Sequence, residues 1–146
     1  MMNDKHILVG IDHSDLSKKA LDEAIRRAYQ EEATLYITSV IDDNNINVGS
    51  DEYVATEEFF KDLDNLTKQL LNNALKQAKE AGVEAKAIFA TGNPKHILAT
   101  QLPEKYQIDL IIVGGPQKDM EHYFGLGSVA SYVIRHSPCN VMVVKE

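Results

Sequence analysis

Five short apolar runs alternate along the chain with longer segments in which apolar residues recur every three or four positions. The first, fourth and fifth runs are nearly continuous in Val, Ile, Leu and Met, as expected for parallel strands buried on both faces. Strict alternation of strands and helices is typical of βαβ units. The pattern therefore predicts an α/β fold with an open, five-stranded parallel sheet that helices cover on both faces. The predicted strands are 6–11, 34–40, 84–90, 110–114 and 140–144.

Four segments have the helical period, and residues typical of helix ends border them. The predicted helices are 14–32, 57–81, a segment that begins at 94, and 128–136. The end signals are Ser14 and Asn93 as N-caps, Gly82 and Pro138 as stops, and Pro103 as a stop or a kink. The irregular stretch 42–56 is long for a compact domain, which favours either a lid over a site or a disordered loop.

The composition indicates a soluble protein with a single domain spanning 1–146, because 44% of the residues are hydrophobic and 25% are charged. Cys139 is the only cysteine, which excludes an internal disulfide and fits a reducing compartment. The sequence contains neither a signal-peptide pattern nor an apolar run long enough to span a membrane. We therefore expect a cytoplasmic protein without a membrane partner.

The formal net charge of −7 argues against a nucleic-acid partner, which would require a basic face. Acidic residues concentrate between Asp42 and Asp64, where eight carboxylates accompany the single cation of Lys61. A solvated surface explains this cluster, and a cation site is the alternative, although the EF-hand spacing is absent. His136 and Cys139 are three positions apart, but no second pair of ligands accompanies them.

Ligands of an open parallel sheet bind outside the carboxyl ends of the strands, where the strand order reverses. If the first and fourth strands are neighbours, Asp12 faces the loop that follows Gly114. The helix that begins at Ser128 then presents its N-terminus to the same crevice. Such an N-terminus attracts phosphate, Gly127 allows a close backbone approach, and the Ser128 hydroxyl adds a donor.

The adenosine half of such a ligand would meet residues at the ends of the first two strands. Asp12 could accept hydrogen bonds from a ribose or an adenine amino group, and Ile11 and Val40 could sandwich the base. Each feature also has a purely structural explanation. Ser128 could be only an N-cap, Gly114 and Gly125 could be turn glycines, and Asp12 could be an Asx-turn residue.

Several catalytic classes are excluded by missing residues. A response-regulator receiver needs an Asp at the end of the third strand, where this chain has AIFATG. The Gly-Lys-Ser/Thr of a P-loop and the G-x-S-x-G of a nucleophile elbow are both absent from the sequence. No general base or nucleophile is evident, so we expect at most a slow ATPase and predict no catalytic residue.

Three stretches together resemble the universal stress protein family over essentially the whole chain: ILVGIDHSDLSKKALDEA, TGNPKHIL and IIVGG…GLGSVASYVIRHSPCNVMVV. The resemblance implies a Rossmann-like sheet of order 3-2-1-4-5. It also implies a homodimer in which the last strands pair. The corresponding interface residues are Asn140, Val141, Met142, Val143 and Val144.

Members of this family that bind ATP carry glycine, two residues, glycine, nine residues, and then glycine followed by Ser or Thr. This chain has Gly114, Gln117 in place of the second glycine, and Gly127-Ser128 at the matching distance. The resemblance thus implies ATP or a related adenine nucleotide, with Mg²⁺ as a companion ion, as a regulatory ligand in a stress response. The alternative is a nucleotide-free dimeric interaction module. The predicted nucleotide-binding residues are Gly10, Ile11, Asp12, Val40, Val113, Gly114, Gln117, Gly127, Ser128 and Val129.

Overall fold

The computed structural model describes residues 4–42, 57–115 and 128–145 of the chain. Its five strands are parallel and form one sheet in the order β3-β2-β1-β4-β5. Both the predicted fold class and the predicted strand order are confirmed. The strands are β1 (His6–Gly10), β2 (Thr34–Asp42), β3 (Ala85–Gly92), β4 (Leu110–Gly114) and β5 (Asn140–Val144).

The helices lie at the predicted places between the strands. Among the helices of the described residues, none combines the length and apolar composition that a membrane span requires. The helical elements are α1 (Asp15–Glu31), α2 (Glu57–Glu80), α3 (Pro94–His96), a π-helical segment (Ile97–Gln101), α4 (Leu102–Tyr106) and α5 (Ser128–His136).

Two apolar cores lie on opposite faces of the sheet. Residues of α1 and α2 pack on one face against strand residues such as Ile7 and Ile112. The π-helical segment, α4 and α5 pack on the other face, where Leu8 and Ile111 are fully buried. The two central strands β1 and β4 are therefore covered on both sides, which explains their nearly continuous apolar sequences.

Two strands run further at their carboxyl ends than the sequence predicted. The β2–β3 ladder continues through the pairs Ile41↔Thr91 and Asp42↔Gly92. Asp42, Thr91 and Gly92 interrupt the apolar pattern here, yet the strand pairing persists. Asp42, the first residue of the predicted irregular stretch 42–56, therefore belongs to β2. Residues 43–56 lie outside the described residues.

The helical signals at Ser14 and Asn93 are confirmed. The Ser17 N–H donates to Ser14 Oγ at 3.1 Å, and the Lys95 N–H donates to Asn93 Oδ1 at 3.0 Å. Pro103 does not stop its helix, which continues to Tyr106. The helix widens just before this proline, where the Leu102 N–H donates to the carbonyl of Ile97, five residues earlier. This π-helical segment is the local distortion that accommodates Pro103.

Candidate functional site

A cavity of about 530 Å³ opens at the carboxyl ends of the central strands, where β1 and β4 are neighbours. This is the point at which the strand order reverses, and it is the expected ligand position in an open parallel sheet. Seven of the ten predicted nucleotide-binding residues line it. They are Gly10, Ile11, Asp12, Val40, Val113, Gly114 and Val129.

The remaining three predicted residues cannot be placed in the cavity. Gln117 and Gly127 lie outside the described residues. Ser128 is the first residue of α5, but its side chain is not among the parts of the chain that the structure describes. Val129 is the second residue of α5 and lines the cavity. The N-terminus of α5 therefore borders the cavity and contributes its partial positive charge there.

Asp12 is held in a closed ring of three hydrogen bonds with two serines at the start of α1. The Asp12 N–H donates to Ser17 Oγ at 2.7 Å, and the Ser17 N–H donates to Ser14 Oγ at 3.1 Å. The Ser14 N–H completes the ring by donating to Asp12 Oδ1 at 2.8 Å. The structural interpretation of Asp12 as an Asx-turn residue is thus correct. It remains compatible with ligand binding, because the turn uses only one carboxylate oxygen.

The cavity walls near β1 and β2 are largely apolar. Ile11 belongs to the core on the α1 face of the sheet, whereas Val40 packs against the core on the opposite face. The two predicted base contacts therefore lie on either side of the sheet plane at the rim. Thr38 lies beneath them with no exposed surface, and its hydroxyl donates to the Ile88 carbonyl at 2.9 Å. That hydroxyl proton is already used by the fold.

Two consecutive glycines end β4 at the cavity. A Cβ at Gly114 would lie 3.1 Å from the carbonyl oxygen of Leu16, in the first turn of α1. A Cβ at Gly115 would lie 3.2 Å from Val143 Cγ1, and the Gly115 N–H donates to the Val144 carbonyl at 2.8 Å. Close packing therefore disfavours a side chain at position 114, whatever the cavity binds.

Six cavity-lining residues were not predicted from the sequence. The sequence identifies Ser14 and Pro94 only as residues at helix starts. In a βαβ fold, however, helices begin at the carboxyl ends of strands, so residues at helix starts border the ligand crevice. That signal could have identified three of the six. The residues are Ser14, Ser17, Thr38, Pro94, Leu98 and Gly115.

Metal and thiol chemistry receive little support from the geometry. The ranges 4–42, 57–115 and 128–145 contain no group of three His, Cys, Asp or Glu side chains placed to hold a metal ion. Cys139 precedes β5, at the end of the sheet opposite the cavity. Burial raises the pKa of its thiol to about 11, and the charges of Asp109 and Asp4 act in the same direction.

Comparison with known proteins identifies the family. The sequence model of the universal stress protein family matches residues 4–145. The chain belongs to the universal stress protein family. A curated relative, universal stress protein YxiE of Bacillus subtilis, is 34% identical over 153 residues, which cover 95% of this chain and 97% of that protein.

Solved structures of similar proteins share the fold of this universal stress protein. Hypothetical protein MJ0577 has a TM-score of 0.85 and 28% identity, with 99% of this chain and 98% of that chain covered. A universal stress protein in complex with cAMP has a TM-score of 0.70 and 25% identity, with 98% of each chain covered. An Arabidopsis thaliana member with AMP bound shares the fold at a TM-score of 0.66 and 23% identity, covering 97% and 92% of the two chains.

Proposed function

We propose that this universal stress protein binds ATP or a related adenine nucleotide as a regulatory ligand in a stress response. The observation that carries the proposal is the cavity at the β1–β4 switch point. Seven residues chosen from the sequence for nucleotide binding line it together. Its volume of about 530 Å³ lies within the range usual for small-molecule and cofactor sites, roughly 300–1,000 Å³.

The proposed pose follows from the chemistry of the lining. The adenosine lies against Ile11 and Val40, with Asp12 accepting hydrogen bonds from it. The phosphates extend past Gly114 towards the N-terminus of α5, where unpaired N–H groups stabilise negative charge. Gly127 and Ser128 are assigned to the phosphates from the family motif. The cAMP complex of a relative supports an adenine ligand as the chemical class.

In this proposal Mg²⁺ enters with the nucleotide. Proteins usually hold this ion through one or two carboxylates together with substrate phosphates. Asp12 is the one carboxylate among the described residues that line the cavity. The proposed pose assigns this carboxylate to the adenosine half of the ligand, so no cavity-lining carboxylate among the described residues is left to act as a general base beside the phosphates. We therefore expect binding without efficient hydrolysis.

The proposal is tested by purifying the protein, denaturing it and analysing the released small molecules for adenine nucleotide. The nucleotide-free protein is then titrated by calorimetry with ATP, ADP, AMP and cAMP. Asp12→Ala should weaken binding, and Ser137→Ala serves as a control because Ser137 lies between α5 and β5, away from the cavity. No released nucleotide and no heat at millimolar concentrations would rule the proposal out.

The second candidate is a nucleotide-free dimeric interaction module of the same fold. The contact between Gly114 and Leu16 favours it, because this contact gives a motif glycine a packing role that needs no ligand. The two candidates differ in the released nucleotide and in the calorimetric titration, but not in oligomeric state, since both include the dimer. A dimer that takes up none of the four nucleotides would establish the second candidate.

We also propose that the homodimer forms through β5. This strand pairs only with β4 among the described strands, so one of its edges is open. An open strand edge needs cover, and four of the five β5 residues, Val141 to Val144, are half-buried rather than fully exposed. Sedimentation velocity over a range of protein concentrations tests for the dimer. A monomer at all concentrations would contradict it.

A further inference from the structure

Two hydroxyls that line the cavity are at least nine-tenths buried, and the fold uses them differently. Thr38 donates its proton to the Ile88 carbonyl, so its hydroxyl completes a bond within the β2–β3 pair. Ser17 is only 5% exposed, and its Oγ accepts the N–H of Asp12. Among the described residues, the Ser17 hydroxyl accepts this bond and donates none. Ser17 is thus tied to the acidic residue of the cavity.

We infer that Ser17 is a positioning residue of the nucleotide site, which it serves by fixing the Asp12 carboxylate for the ligand. The inference rests on the proposed function and adds a residue to it. Ser17 lies in the first turn of α1, and its hydroxyl fixes the backbone of Asp12 just after β1. The ring is closed by the Ser14 N–H, which holds Asp12 Oδ1.

The ring leaves one acceptor for the ligand. Asp12 Oδ1 is engaged with the Ser14 N–H, while Oδ2 receives no hydrogen bond from the described residues. Asp12 is solvent-exposed, so without the ring its carboxylate would sample several orientations. A fixed acceptor binds a ligand more tightly because less side-chain freedom is lost on binding. The α1 helix anchors the ring, since Leu16 and Ala20 are buried against the sheet.

A cap-only role for Ser17 makes a different prediction. The bond from the Ser17 N–H to Ser14 Oγ caps α1, and it involves the Ser17 backbone rather than its hydroxyl. Replacement of Ser17 by Ala therefore keeps the cap and removes only the acceptor for the Asp12 N–H. The effect on binding is then separable from an effect on the helix end.

The test measures the ATP affinity of Ser17→Ala by calorimetry and its free energy of unfolding in urea. Without the fixed carboxylate one more side chain must be immobilised on binding, which predicts about threefold to tenfold weaker ATP binding. Ser137→Ala is the matched control, because it removes a hydroxyl that donates to the Cys139 carbonyl away from the cavity. Its ATP affinity should equal that of the wild type. If Ser17→Ala is not folded, Ser17→Cys replaces it, since a thiol has nearly the same shape but accepts weakly.

A double-mutant cycle separates positioning from an independent effect. If Ser17 acts through the Asp12 carboxylate, Ser17→Ala should change ATP affinity less than about twofold in an Asp12→Ala background. An equal loss in both backgrounds, or wild-type affinity in Ser17→Ala, overturns the inference and leaves the nucleotide proposal intact. A wild-type protein that binds none of the four adenine nucleotides overturns both.

Discussion

Gly114 at the end of β4 packs directly against the backbone of Leu16 in α1. A side chain at position 114 would approach the Leu16 carbonyl oxygen and carbonyl carbon to 3.1 and 3.2 Å. The φ angle of Gly114 lies outside the left-handed region, so the requirement is for space and not for an unusual backbone conformation. This contact sets the distance between α1 and the end of β4, where Gly114 and Gly115 form the floor of the cavity.

Gly114→Ala should destabilise the protein by about 1–3 kcal/mol even without a ligand, since helix backbone cannot move aside easily. Gly10→Ala is the matched control. A Cβ there would meet only the end of the Leu98 side chain, at 3.1 Å, and a side-chain end shifts more easily than helix backbone. Urea unfolding of the nucleotide-free proteins provides the measurement. Equal and small losses in both variants would show that α1 adjusts freely.

Gln117→Gly should tighten ATP binding by up to about tenfold. Gln117 occupies the position of the second glycine of the family motif and lies outside the described residues, so this expectation rests on the sequence. A residue with a Cβ reaches positive φ at a cost of about 1–2 kcal/mol, which glycine avoids. Calorimetry with ATP checks the prediction. Unchanged affinity would mean that the Gln backbone already takes the required conformation.

Val141→Pro should convert the proposed dimer into monomers. The Val144 carbonyl accepts the Gly115 N–H, so Val144 points its backbone groups towards β4. Alternate residues of a strand in a parallel ladder point to opposite sides, which directs the Val141 N–H to the open edge. Proline is tolerated on such an edge, where it removes one intermolecular donor.

Val141→Ala is the matched control for the dimer, because it removes side-chain packing but retains the N–H. It should sediment as the wild type does, whereas Met142→Pro should disrupt the β4–β5 ladder and lower the free energy of unfolding. A dimeric Val141→Pro variant would argue that β5 is not the interface. Sedimentation velocity distinguishes these outcomes.

The Cys139 thiol should react slowly in the folded protein. Burial raises its pKa from the ordinary 9.0 to about 11. A shift of that size lowers the thiolate fraction at pH 8 about 100-fold, and the thiolate is the reactive form. Modification by a thiol reagent should accelerate at least this much when the protein is unfolded in urea. Equal rates in the two states would contradict the shift.

The same pKa shift affects stability at alkaline pH. The pKa of the thiol is higher in the folded than in the unfolded state, so the neutral thiol stabilises the folded state. This contribution to the free energy of unfolding is fully present below pH 9 and is lost as the pH rises from about 9 to about 11. Cys139→Ser lacks this titration and is the control. The free energy of unfolding of the wild type should therefore fall more steeply across this interval than that of the variant.

The sequence was most informative where one physical cause dominates. Because β1 and β4 are buried on both faces, their nearly continuous apolar runs were sufficient to predict them. The βαβ alternation was sufficient to predict that Asp12 and Gly114 border the same crevice. The predicted ends of β2 and β3 at Val40 and Ala90 were wrong, because backbone pairing continues to Asp42 and Gly92, where a polar residue and a glycine interrupt the apolar pattern. The contact between Gly114 and Leu16 was also not predictable, since it depends on the distance between a helix and a strand.

The ring formed by Asp12, Ser14 and Ser17 was predictable only in part. Ser14 was recognised as an N-cap and Asp12 as an Asx-turn candidate, and both assignments were correct. The bond between Ser17 Oγ and the Asp12 N–H depends on a side-chain rotamer inside a turn, which a residue pattern does not specify. The π-helical segment was also predictable only in part, because Pro103 indicates a stop or a kink in the helix but not a π-helical turn before it.

The hydrogen bond from the Gly115 N–H to the Val144 carbonyl joins the cavity floor to the last residue of the proposed interface strand. A ligand that moves Gly115 would therefore act on the end of β5 through this bond. Thermodynamic linkage then requires reciprocity: if nucleotide strengthens subunit association by some factor, association strengthens nucleotide binding by the same factor. Nucleotide binding in the cavity would thereby change the strength of subunit association at β5, a surface that the ligand does not contact.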